Sequence, residues 1–221
     1  MAETKDAGGS PWLAGADGCP AGWVVAFARR DAAEPPRLRV APDLAAILDA
    51  PEAPFVVAID MPIGLPERIV GPGRVAEQAA RPHLGARQSS VFSIPSRAAV
   101  EAESYEAACA AALATSSPPR KVSKQGFHLF PKIREIDALL RARPEAAARV
   151  FEVHPELAFW RMNGERALET PKKVKSRPHE PGLAQRRALL AAAGIAPALI
   201  EAPRPRGVGP DDHLDALACL V

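Results

Sequence analysis

The segment Phe55-Val-Val-Ala-Ile59 constrains this chain more than any other. Five apolar residues in a row, closed off by Pro54 and Pro62, have the length of a strand and none of the alternation of a half-exposed one. Such a run suits a strand buried on both faces, as in a parallel pairing covered by helices on each side. Asp60 stands at its C-terminal end. A carboxylate there is costly to bury unless it is paired or holds a cation. One short stretch therefore predicts a sheet architecture and a place for chemistry together.

The flanking sequence builds around that strand. Trp12 to Ala14 leads toward Asp17, Gly18, Pro20 and Gly22 supply a tight turn, and Trp23 to Ala28 form a return strand. Arg37 to Ala41 reads as a third strand, and Pro42-Asp43 opens a short helix to Asp49 with Leu44, Ile47 and Leu48 on one face. Residues 62–96 are dense in Pro, Gly and Arg and read as a long loop with a short helix. Arg97 to Ala114 reads as one alanine-rich helix, residues 116–126 as a loop and Phe127 to Arg141 as a helix. Residues 150–160 read as a buried strand running into a short helix, residues 162–182 as a polar, basic stretch, and Leu183 to Ala193 as a helix stopped by Gly194. A Pro/Arg/Gly loop follows, and Pro210-Asp211-Asp212 opens the final helix. The order predicts an α/β fold, a mixed sheet flanked by helices. One domain is expected over residues 12–221, after a flexible leader at 1–11, with a helical and loop insertion at about 62–145.

Composition narrows the function classes. Aromatics are only 5%, so the core must come from Ala, Leu, Val and Ile. Net charge is +2, which excludes a histone-like polycation but leaves room for a local basic groove. Cys19, Cys109 and Cys219 form no C-x-x-C pair, which excludes a zinc ribbon or thioredoxin-like site. The odd cysteine count points to a reducing compartment. The N-terminus lacks the basic and apolar regions of a signal peptide, and no apolar run reaches the ~18 residues of a membrane span. A cytoplasmic location without a membrane partner is expected, with the oligomeric state left open.

The acids carry the most information. Asp17 ends the first strand, Asp60 ends the apolar strand, and Glu152 lies in the strand-like VFEVHPE. Asp212 and Asp215, three apart on the last helix, share one face. Together they suggest a convergent cluster suited to a hard divalent cation, Mg²⁺ or Mn²⁺, which keeps waters and leaves room for phosphate oxygens. The carboxylates of Asp17, Asp60 and Asp215 are then expected ~4–8 Å apart, consistent with paired ions ~4 Å apart that clamp a phosphoryl group. Each acid also has a plainer explanation. Asp17-Gly18 is a turn signal, Asp60 can cap the Pro62 turn, Glu152 can face solvent on an edge strand, and Asp211 and Asp212 can complement a helix N-terminus. His154 is placed for a general base, a proton shuttle or a metal neighbour, or equally for bonding the Pro155 turn. Lys132, Arg134, Glu135 and Asp137 fit a charged helix face. Arg87, Ser89 and Ser90 sit in a loop suited to phosphate oxygens or to ordinary loop order. The basic run Arg161, Arg166, Lys172, Lys173, Lys175 and Arg177 either tracks a nucleic-acid backbone or is a solvated charge run that coordinates nothing.

The segments GADGCPAGWVVA (15–26), AIDMPIGLP (58–66), LGARQSSVFSIPSR (84–97), VSKQGFHLFPKIREID (122–137), VFEVHPELAFWRMNG (150–164) and DDHLDALA (211–218) resemble the family known as domain of unknown function 429. That family in turn resembles the ribonuclease H-like superfamily, which includes Holliday-junction resolvases. The resemblance implies a ribonuclease H-like fold and a divalent-metal-dependent nuclease. Asp17, Asp60, Asp212 and Asp215 would hold the ions, Glu152 would be a further ligand candidate, and His154 and Lys132 would assist. The chain departs from the family after Arg74, where Val75 or Ala76 fills an acidic position, with Glu77 next to it. Two other classes stay open: a non-catalytic nucleic-acid-binding or regulatory module, and an actin-like phosphotransferase. The Cys19-Pro20-Ala21 turn offers no hydroxyl to phosphate, which counts against the phosphotransferase.

Overall fold

The computed structural model describes residues 10–221. Residues 1–9, most of the expected leader, lie outside the described residues. Ser10 is already tied down: its backbone N–H donates to Asp31 Oδ2 (2.6 Å), and its Oγ accepts from the Asp31 N–H (3.0 Å).

β1 (Trp12–Cys19), β2 (Gly22–Arg29) and β3 (Arg37–Ala41) follow one another as expected. The short helix α1 (Leu44–Leu48) is capped by Asp43, whose side chain accepts from the Ala46 N–H. The apolar run becomes β4 (Val56–Asp60). The segment after it holds more regular structure than its Pro and Gly content suggests: β5 (Ile69–Val70), α2 (Val75–Ala80) and two 3₁₀ turns, Arg81–His83 and Gly85–Ser90. The expected single helix from Arg97 is two, α3 (Arg97–Glu101) and α4 (Tyr105–Thr115). Ser104 decides the break, because its hydroxyl caps α4 by accepting from the Ala107 N–H (3.1 Å). β6 (Ser116–Ser117) pairs in parallel with β5. Then come α5 (Lys124–Phe127), α6 (Phe130–Ala142), β7 (Val150–Glu152) and α7 (Pro155–Met162). The basic stretch carries a small hairpin, β8 (Lys173–Val174) with β9 (Arg177–Pro178), ahead of α8 (Glu180–Ala192), α9 (Pro197–Ile200) and α10 (Pro210–Ala218).

The main sheet is five-stranded and mixed, in the order β3-β2-β1-β4-β7. β2 runs antiparallel to both its neighbours, while β4 is parallel to β1 and to β7. Side-chain alternation sorts the residues between the two faces. Trp12, Ala14, Ala16, Trp23, Val25, Phe27, Val57, Ile59 and Val150 pack on one side with α1, α3, α4 and α6, through residues such as Leu44, Val100, Ala108, Phe130 and Ile133. Ala26 faces the other way, onto Phe159, Leu183, Leu190, Leu214 and Leu217 of α7, α8 and α10. That second face is built from small residues where α10 crosses it. A Cβ on Gly15 would stand 2.4 Å from the Ala216 carbonyl oxygen. The missing side chain therefore lets the backbone of α10 rest directly on β1. Among the described residues, no helix is long and apolar enough to cross a membrane.

Candidate metal centre

Asp17 and Asp60 are direct partners in the parallel β1–β4 register, so their side chains leave the same face on strands ~4.8 Å apart. That face is the one on which Gly15 admits α10, and α10 carries Asp215 onto it. One carboxylate oxygen from each of Asp17, Asp60 and Asp215 lies within 4.8 Å of the others. Asp17 and Asp215 are 8% and 2% exposed. Burial, with Asp60 and Asp215 beside it, pushes the Asp17 carboxyl well above its usual range. Burial and then Asp215 raise Asp60 to about 8. Burial also raises Asp215, although Lys172 opposes it. Three carboxylates held this close favour protonation unless a cation joins them.

A cation is already present in the chain. Lys172 Nζ pairs with Asp215 Oδ2. Burial works to lower its ammonium, but Asp215 and Asp60 outweigh that and hold it above its ordinary value. The reading of Lys172 as a solvated residue that coordinates nothing is therefore corrected. The backbone before it is clamped: Arg186 Nη1 donates to the Thr170 carbonyl (3.1 Å), and the His179 N–H donates to the Lys172 carbonyl (2.9 Å). The Pro171 carbonyl oxygen sits only 2.0 Å from where a Gly182 Cβ would be. Arg186 is itself fully buried, and its Nη2 donates to both carboxylate oxygens of Glu156 (2.5 and 2.8 Å). No local signal in a Pro-Lys-Lys-Val-Lys run tells which lysine turns inward.

Two of the expected acids are engaged elsewhere. Glu152 pairs in register with Ile59, so it leaves the sheet on the face opposite to Asp60. There it takes a bidentate Arg74 (2.6 and 3.0 Å) and accepts from the Ile63 N–H (2.8 Å). Arg74 also holds Glu77, 2.7 Å from its Nε, and all but 7% of Arg74 is buried. Asp212 turns back on its own helix terminus and accepts from the Gly209 N–H (2.9 Å), and it is not among the three converging carboxylates. Asp211 pairs with Lys173.

His154 and Lys132 line the same cleft as the three acids. His154 Nε2 lies 3.4 Å from the Ser90 carbonyl, which can only accept, so Nδ1 carries the lone pair. Nδ1 is buried without a partner, and burial lowers the ring's pKa. Lys132 reaches the cleft from the opposite face. Its stem lies where a Gly18 Cβ would be (2.8 Å), and its Nζ stands 4.3 Å above the Trp23 ring. Burial lowers its pKa as well. Its helix neighbours are ties to other elements. Glu135 accepts from Trp23 Nε1 (3.0 Å) and the Leu44 N–H (2.7 Å), Arg134 donates to the Val100 and Ala102 carbonyls (2.5 and 2.6 Å), and Asp137 pairs with Arg97. In the 84–97 segment, Ser90 Oγ donates to the Arg87 carbonyl (2.8 Å), a contact internal to its turn.

The donor set fits a hard divalent ion. All three converging groups are carboxylates, the ligands that Mg²⁺ and Mn²⁺ prefer. Asp215 Oδ1 is buried with no hydrogen-bond partner, while its Oδ2 takes Lys172. A buried carboxylate oxygen without a partner, on one of three converging carboxylates, is an unsatisfied ligand position.

A family model described as "Protein of unknown function (DUF429)" matches residues 15–221. No curated protein and no solved structure matches the chain.

Proposed function

From a chain that belongs to this family of unknown function, matched over nearly its whole length, we propose a divalent-metal-dependent phosphodiester hydrolase of ribonuclease H-like fold that acts on nucleic acid. The observation that carries the reading is the convergence of Asp17, Asp60 and Asp215 within 4.8 Å, with one buried oxygen of Asp215 left unpaired. The sheet order, with β2 as the antiparallel member beside β1, suits the proposed fold. A cleft of about 1190 Å³ opens over the acids, roomier than the ~300–1,000 Å³ of small-molecule sites, which suits a polymer.

In this reading Asp17, Asp60 and Asp215 hold Mg²⁺ or Mn²⁺. When bound, such an ion supplies Lewis-acid polarisation of a phosphoryl oxygen and a water of lowered pKa. The chain's own groups do the rest. Lys172 holds Asp215 in its rotamer. Lys132 presents a positive charge to a phosphate oxygen at the cleft wall. His154, its ring pKa lowered by burial, lines the cleft and donates its Nε2–H to the Ser90 carbonyl, which holds the cleft wall beside the acids. Glu152 and Asp212 position structure rather than ligand.

The test is incubation of the protein with labelled single- and double-stranded DNA and RNA, with Mg²⁺ or Mn²⁺. Cleavage is expected, abolished by chelator and by Asp60→Asn while binding persists. Binding without cleavage in the parent protein would leave only a nucleic-acid-binding module. Absence of binding at ~50 mM salt, where phosphate contacts are strong, would refute both.

A further inference from the structure

Resting on the metal reading above, we propose that the centre takes one divalent ion, and that the Lys172 ammonium stands in the place a second ion would fill. Three observations lead there. First, among the described residues three carboxylates converge. The acids that could extend the set are committed, Glu152 to Arg74 on the opposite face of the sheet and Asp212 to the Gly209 N–H. Second, the three carboxylates and the ammonium on Asp215 together leave two negative charges when all are ionised, and one divalent ion neutralises them. A second ion would leave an excess positive charge in a buried site, because the neighbouring acids Glu156 and Asp211 are already neutralised by Arg186 and Lys173. Third, Lys172 does not reach the centre on a free tether. Its backbone is pinned by the Arg186 and His179 hydrogen bonds and by the close seat of Pro171 on Gly182. The two oxygens of Asp215 divide the work. Oδ2 faces the ammonium, and Oδ1 is buried and has no hydrogen-bond partner, so it is the oxygen left open to a metal.

The experiment counts ions. The full chain is titrated with Mn²⁺, with free ion followed by electron paramagnetic resonance and heat by calorimetry. The parent is expected to bind one Mn²⁺ per chain. Lys172→Met frees Asp215 Oδ2 and is expected to bind two at millimolar Mn²⁺, the pair giving a spin-coupled spectrum. Lys172→Arg keeps the charge and is expected to stay at one. Two ions in the parent or in Lys172→Arg, or one in folded Lys172→Met, overturns the proposal while leaving the metal reading in place. If Lys172→Met does not fold, the parent and Lys172→Arg counts decide. No Mn²⁺ on the parent overturns the metal reading itself, and the proposal with it.

Discussion

Gly15→Ala tests whether the seat of α10 on β1 sets the distance between the carboxylates. The added Cβ would meet the Ala216 carbonyl oxygen at 2.4 Å, the Leu220 nitrogen at 2.8 Å and the Cys219 carbonyl carbon at 3.0 Å, all of them backbone. No side-chain rotation relieves such contacts. Ordinary van der Waals contact begins near 3.4 Å, so α10 must retreat by about 1 Å. Overpacking of this kind costs about 1–3 kcal/mol. For a chain of this size that lowers the melting temperature by about 2–12 °C. Asp215 rides on the same helix and moves with it, whereas metal–ligand distances tolerate only about 0.2 Å. Mn²⁺ affinity is therefore expected to fall at least about tenfold, or ~1.4 kcal/mol. The assay is a melting curve paired with a Mn²⁺ titration, with Asp215→Asn as the reference for a lost ligand. A lower melting temperature with unchanged Mn²⁺ affinity would refute the claim that α10 positions Asp215. No change in either would show that the helix does not rest on β1 as described.

Three further outcomes are expected. The raised carboxyl groups set the pH dependence of the metal-free protein: Asp60 titrates near 8 when folded and near its ordinary 3.8 when unfolded, so the folded state holds the extra proton between those values. Metal-free stability should accordingly fall as pH rises from about 4 to about 8, and millimolar Mn²⁺ should restore it at pH 8; melting temperatures that rise over that window without metal would contradict the crowded-acid description. Arg74→Met removes the counter-charge of two acids, Glu77 (4% exposed) and Glu152, and is expected to cost about 3–5 kcal/mol in urea unfolding; a loss under 1 kcal/mol would show that the network is not rigid. On the hairpin, Lys175→Ala and Arg177→Ala should each reduce the log–log salt slope of duplex DNA binding by about 0.9 without altering Mn²⁺ affinity; an unchanged slope would remove the hairpin from the nucleic-acid path.

The parts of this protein written locally were legible. β1 to β4 follow from apolar runs cut by Gly and Pro, and α1 from its Asp43 cap. Asp17 and Asp60 were legible as acids that converge, because each ends a strand after buried positions, where a lone carboxylate is costly. Asp215 was legible from its place one turn into a helix among apolar neighbours. The break between α3 and α4 was missed because alanine continues on both sides of it, and a single Ser cap outweighed the helix propensity there.

What the chain order alone could not decide was register and phase. Glu152 and Asp60 both end strand-like segments, but pairing opposite Ile59 sends Glu152 to the other face, and a shift of one residue would have reversed that. Asp212 and Asp215 share a helix side in projection, yet the free N–H at Gly209 draws Asp212 back to the helix end. Lys172 is chosen from its basic run by Pro171 seating on Gly182 and by hydrogen bonds from His179 and Arg186, residues seven and fourteen positions away. The sequence by itself determined the four consecutive strands of the main sheet and where acids stand along them, because those depend on neighbours within a few residues. The tertiary structure decided which acids meet and which cation joins them, because a side chain's direction in space depends on how distant strands and helices pack.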